Sequence, residues 1–426
     1  MIRIVIYMLW LAGFTSALAE PQKPVFPPFD SAQAEIGRLL FYDKVLSGNR
    51  NISCGTCHHP AFGTTDALPL GVGEGGAGVG PARTTGSGKD RIERRVPRNA
   101  PALWNLGAKQ ITRLMHDGRI SESNDYGNHF NTPAQEWLPQ GLNSVLAAQA
   151  LFPMTSETEM AGSNEENEVA GAANDRIDNA WPIIAKRVRT LPDYGQRFVD
   201  AFDDVTRAEN VSIVHVANAL AAFMATEFKS LDSPYDQWID GDRNALNAQQ
   251  QRGMSLFFGA AQCSSCHSGA LFSSHQFKAL ALPPFGPGRT RAFDPIPRDV
   301  GRMGESDRLE DAYRFRVPML RNVALTAPYG HNGAYDTLYK MIQHHTDPLS
   351  SRQRWSSATS RSRFRPSSRR SNQENEMIDI LKESFRAYSN DNKRTGAELA
   401  ALLAKDWICL KASFPGVAAM GTPPQA

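Results

Sequence analysis

A mainly α-helical fold built from two similar units is what this 426-residue sequence predicts, on three observations. The pentapeptide CGTCH at 54–58 returns as CSSCH at 263–267. Each copy follows a stretch whose apolar residues recur at helical spacing. No alternating apolar and polar pattern recurs often enough to build a sheet. The length is that of two or three domains with ample core.

Along the chain, Arg3, an apolar run over 4–14 and Ala17-Leu18-Ala19 read as a secretory signal peptide over 1–19, cut before Glu20. The run is shorter than the ~20 residues a membrane span needs, and no later segment could span, so the mature chain is expected to be exported and soluble. Residues 31–47 form an amphipathic helix with Ile36, Leu39, Leu40 and Tyr42 on its apolar face. The Gly-rich stretch 69–95 is a loop; its GVGEGG matches a nucleotide-binding pattern, but no strand precedes it. Stretches 178–193 and 209–231 are helical, the second apolar enough for a core helix in which His215 is packed rather than ligating. Residues 247–259 repeat the helix-before-motif arrangement with Met254, Leu256, Phe257 and Phe258. Nine Ser and seven Arg fall within 350–371, a composition that cannot bury a core. That segment is expected to be an exposed, mobile insertion, or a docking surface for an acidic partner. The expected units are 31–235 and 240–415, with Cys409 a buried thiol in the second.

The net charge of +2 argues against bulk nucleic-acid binding. Export would ordinarily turn five cysteines into disulfides, yet four sit in two Cys-x-x-Cys pairs, each followed directly by a histidine. A redox dithiol has no need of that histidine. A four-cysteine zinc site uses pairs about 20 residues apart, far closer than these. Covalent haem attachment explains every element: two thiols add to the porphyrin vinyl groups, and the next imidazole ligates the iron. Two c-type haems follow, one on Cys54 and Cys57 with His58 as ligand, the other on Cys263 and Cys266 with His267.

With these motifs in place, GRLLFYDKVLSGNRNISCGTCHHPAFGTTD, PRNAPALWNLG, HDGR and FRVPMLRNVALTAPYGHNGAYDTL resemble, in the expected order, the bacterial dihaem cytochrome c peroxidase family, which includes the MauG-type enzymes. The resemblance spans roughly 31–345. It implies two cytochrome-c-like domains packed face to face, each carrying one haem. It implies that the Cys54/Cys57 haem meets hydrogen peroxide while the Cys263/Cys266 haem passes electrons. Glu159 looks like the family's distal acid–base carboxylate, a role that needs a carboxyl group near the peroxide. An interdomain Ca²⁺ is implied at the Asn99 side chain and the carbonyls of Thr326 and Pro328, hard oxygen ligands of the right kind.

Three departures from the family pattern carry information. Members ordinarily carry a histidine after the first motif that caps the iron; from Pro60 to Met115 this chain has none, so the first haem is expected to be open. The distal ligand of the second haem, methionine or tyrosine elsewhere, falls at His345, with Met341 the other candidate; an imidazole would lower the potential. His344 would point about 100° away. The tryptophan that bridges the haems is His116 here, and Ala261 stands where MauG has its relay tryptophan, leaving Trp104 and Trp238 as possible relays.

The expectation is therefore a periplasmic oxidoreductase using hydrogen peroxide. Its electrons come either from a small donor protein, a cytochrome c or a cupredoxin, or from the side chains of a protein substrate. The competing class is a non-enzymatic dihaem electron-transfer cytochrome with both irons six-coordinate.

Overall fold

The computed structural model describes residues 22–88, 91–286, 288–289, 298–349 and 351. The expected signal peptide, nearly all of the Ser/Arg-rich segment and Cys409 lie outside the described residues.

Helix α1 (Ser31–Tyr42) starts at Asp30, whose side chain accepts from Gln33 N. It ends five residues before the sequence reading expected, because Asp43 turns extended and its Oδ1 accepts from Val45 N. The single helical turn α2 (Cys54–Cys57) carries the first motif. Helices α3 (Val145–Ala150), α4 (Glu168–Asp175), α5 (Ala180–Arg189), α6 (Pro192–Ala201) and α7 (Ile213–Glu227) complete the first half. The stretch expected to be helical over 178–193 breaks at Thr190 and Leu191, and Pro192 opens α6, where its missing N–H costs nothing. Beyond lie α8 (Pro234–Ile239), α9 (Ala248–Phe258), α10 (Met303–Ser306) and α11 (Leu338–Thr346).

Two small sheets correct the expectation that no sheet forms. Strands β1 (Arg113–Leu114), β2 (Ile120–Glu122) and β3 (Phe130–Asn131) pair antiparallel in that order, as do β4 (Phe277–Ala279) and β5 (Arg314–Arg316). Strands of two or three residues are too short to show an alternation.

The apolar side chains gather in two clusters. One runs from Ile36 to Phe228, with Leu271; the other from Tyr235 to Ile342. At the centre of the first, α1 packs on α7 so closely that a Cβ on Gly37 would lie 2.0 Å from Ala219 O. His215 is packed as expected: Nδ1 accepts from Ser212 N and Nε2 pairs with Asp204. No helix among the described residues is long and apolar enough to cross a membrane.

Candidate haem sites and the cavity beside the first

The two motifs adopt the same local geometry. In each, the histidine N–H closes a turn on the first cysteine, His58 N to Cys54 O and His267 N to Cys263 O, both 2.9 Å. The chain then loops back to take the imidazole. Nδ1 of His58 donates to Thr64 O and Nδ1 of His267 to Phe272 O, each 3.0 Å. Both acceptors sit on residues with left-handed backbone, Thr64 at φ 64° and Phe272 at φ 54°. A β-branched residue there is strained, and such strain marks places where the surroundings enforce a function. Fixing the proton on Nδ1 makes Nε2 the lone-pair nitrogen, as a metal-bound imidazole requires. His59 caps this return: its Nδ1 accepts from Ala61 N and starts the tight turn Pro60–Phe62.

Burial pushes the Cys54 and Cys57 thiols up to about 12. Redox dithiol chemistry needs a thiolate, so this environment disfavours it. Burial also lowers His58, against the pull of the Thr64 and Pro101 carbonyls, favouring neutral imidazole.

Beside the first motif lies a cavity of about 270 Å³, lined by Cys54, Cys57 and His58 from α2, by Phe41 of α1 and by Leu220 and Met224 of α7. Glu159 and His116 line it too, bringing together three elements far apart in sequence. Glu159 stands on a π-helical turn, Glu157–Ala161, in which Ala161 N donates to Ser156 O. Such single turns recur at functional sites. His116 Nε2 donates to Asn99 O, and its own carbonyl accepts from Arg316 N.

Four arginines complete the wall: Arg98, Arg119, Arg289 and Arg316. The first three converge on Asp117, which is fully buried, at 2.6, 3.2 and 3.1 Å. Burial alone would raise that carboxyl; Arg98, Arg119 and Arg289 hold it far below the carboxylate range. Arg98 also takes Asp299 in a two-point bond, 2.7 and 2.8 Å, tying the 98–117 region to the 299 loop. Arg316 hydrogen-bonds, among the described residues, to Met115 O, Val317 O and His275 Nδ1. Burial pushes it down to about 10, with Arg113 adding to the fall. Conversely, one Asp66 oxygen is buried without a hydrogen bond, and burial lifts that carboxyl to about 6. A buried arginine with no carboxylate in hydrogen-bond reach among the described residues suits an amphipathic, anionic occupant. A haem with its propionates has that chemistry. Arg119 lies in HDGR, Arg316 in FRVPML and Asp66 in TTD, but nothing in their spacing marks them as wall residues.

In the second half, Cys263 and Cys266 are buried, and Cys263 shares its cluster with Leu338, Met341 and Ile342 of α11. His345, one turn beyond Met341, donates from Nδ1 to Met341 O at 2.8 Å. His345 is therefore buried with its Nε2 as the lone-pair nitrogen. Its neighbour His344 uses both nitrogens elsewhere, on Tyr335 OH and Leu280 O, and the two rings stand at 86°. Trp238 stacks on Tyr235, and Trp104 meets Phe228 edge-on. Asn99 donates from its side chain to Leu68 O and from its backbone to His331 O, three residues past Pro328. That leaves Asn99 Oδ1 as a hard oxygen in the 326–331 neighbourhood, with Thr326 at the end of the Val323–Leu325 turn.

The profile described as di-haem cytochrome c peroxidase matches residues 31–244. A methylamine utilization protein MauG from Methylorubrum extorquens is 27% identical over 338 residues, covering 79% of this chain and 75% of that protein. The cytochrome c peroxidase Ccp of Escherichia coli is 30% identical over 322 residues, 75% of this chain and 54% of its own. Among solved structures, a MauG-like protein associated with microbial copper homeostasis superposes with a TM-score of 0.58 at 24% identity, covering 91% of this chain and 96% of its own.

Proposed function

This chain belongs to the di-haem cytochrome c peroxidase family, and we propose that within it the protein is a periplasmic oxidoreductase that reacts with hydrogen peroxide at its first haem. The observation that carries the reading is the cavity beside His58, whose wall among the described residues includes Glu159 and, besides His58, a single histidine, His116. His116 Nε2 is committed to Asn99 O, so an iron held at His58 would be left open to peroxide.

Cys54, Cys57 and His58 would hold the first haem, and Cys263, Cys266 and His267 the second, with His345 offering it a further imidazole nitrogen. When bound, haem supplies an iron that accepts the oxidising equivalents of peroxide. Glu159 takes a proton from peroxide and returns it to the departing oxygen, which leaves as water. The cavity arginines would offset the negative charge of an anionic occupant such as haem. His116 donates from Nε2 to Asn99 O, and that bond holds its ring rigid on the wall between the two halves. Asn99, Thr326 and Pro328 would supply hard oxygen ligands to a Ca²⁺. The first folding unit would span 31–235 and the second begin at 240, and a periplasmic location fits the family.

Electrons would come from a small cytochrome or copper protein, or from side chains of a protein substrate. Steady-state consumption of peroxide with reduced cytochrome c separates these. Rapid turnover supports the donor-protein branch. A long-lived oxidised enzyme without turnover supports protein oxidation.

A further inference from the structure

Tyr42 is the last residue of α1 and is 44% exposed, yet it abuts the first haem motif. A Cβ on Gly55 would lie 2.5 Å from Tyr42 Cδ1 and 2.7 Å from Cε1. The ring therefore lies on the backbone between Cys54 and Cys57, and only glycine leaves room for it. Its inner neighbour is Phe41, at a ring distance of 5.1 Å, which lines the cavity itself. Phe223 packs on the other side at 6.1 Å. Phenylalanines cannot be oxidised at biological potentials, whereas a phenol can. Within this cluster, Tyr42 is the oxidisable ring that reaches the surface.

We infer that Tyr42 is a redox-active surface residue, passing oxidising equivalents from the first haem site to one-electron phenolic or aromatic reductants too large for the cavity. The inference rests on the peroxidase reading above, with hydrogen peroxide as the oxidant. In each relay event Tyr42 gives one electron inward, and its phenolic O–H bond gives up its proton to water. The external reductant then returns an electron to the ring and solvent returns the proton. Two such events supply the two electrons that one peroxide needs, and peroxide and two protons become two waters. Burial, and then the Glu227 carboxylate nearby, keep the resting side chain a protonated phenol.

The test is one equivalent of hydrogen peroxide added to the holoprotein, without donor, in the presence of a nitroso spin trap. Peptide mass mapping and radical resonance spectra on wild type and Tyr42→Phe provide the readouts. Haem content of both proteins is checked first. The inference expects an adduct on Tyr42, its loss in Tyr42→Phe, and a longer-lived oxidised haem spectrum in that variant. Tyr42→Trp, which restores an oxidisable ring, should recover an adduct at position 42. Adducts only elsewhere, with the same oxidised-haem lifetime in Tyr42→Phe, would overturn it while leaving the peroxidase reading intact. A haem spectrum that peroxide leaves unchanged would overturn both.

Discussion

Replacing Asp117 by asparagine keeps the side-chain shape and removes one charge from the arginine cluster. The carboxylate is fully buried and accepts from Arg98, Arg119 and Arg289 at 2.6, 3.2 and 3.1 Å. Removing one partner of a buried pair costs about 3–5 kcal/mol, because the remaining charge stays buried. Here the lower end applies. Arg98 is 7% exposed and retains Asp299, while Arg289 is 37% exposed and can recruit water. The expected loss is about 3 kcal/mol in urea unfolding of the holoprotein, with an unchanged denaturant slope. At ~2–4 °C per kcal/mol, the midpoint should fall by about 6–12 °C. The sign with pH follows from the folded carboxyl lying below the unfolded value of ~3.9. The contribution is present above pH ~4 and fades as the pH falls further toward the folded value. Asp117→Asn should therefore show a flatter stability profile than wild type below pH ~4. A loss under ~1 kcal/mol at pH 7 would refute the claim that Asp117 is the hub of the network.

Glu159→Gln keeps the shape of the side chain and removes its base, so the rate of the first haem spectral change on adding peroxide should fall by roughly 10²–10⁴. His345→Ala should convert the second haem from low spin to high spin by electron resonance, with Met341→Ala leaving it low spin; the reverse pattern would make Met341 the ligand. Gly37→Ala puts a methyl 2.0 Å from Ala219 O and should cost about 1–3 kcal/mol in the same urea assay.

The haem motifs were legible because their residues are adjacent in sequence: Cys54, Cys57 and His58 declare their chemistry by spacing alone. The return of the chain to hold each imidazole was not, since Thr64 and Phe272 act through carbonyls, which every residue has. Helix ends were misplaced where a side chain competes with the backbone, as Asp43 does at the end of α1. His59, unexplained by spacing, is the cap of the Pro60–Phe62 turn. The arginine wall escaped notice because surface and buried arginines look alike in sequence; only folding gathers Arg98, Arg119, Arg289 and Arg316 around one cavity. Glu159 was found through resemblance, and its position on that same cavity depends on a π-helical turn that no periodicity announces.

The most direct test of the central claim is the electron resonance and optical spectrum of the resting ferric holoprotein, before and after one equivalent of hydrogen peroxide. An open first iron with Glu159 beside it predicts one high-spin and one low-spin haem, the high-spin signal disappearing on addition of peroxide. Two low-spin haems that peroxide leaves unchanged would contradict the account and make this chain an electron-transfer cytochrome.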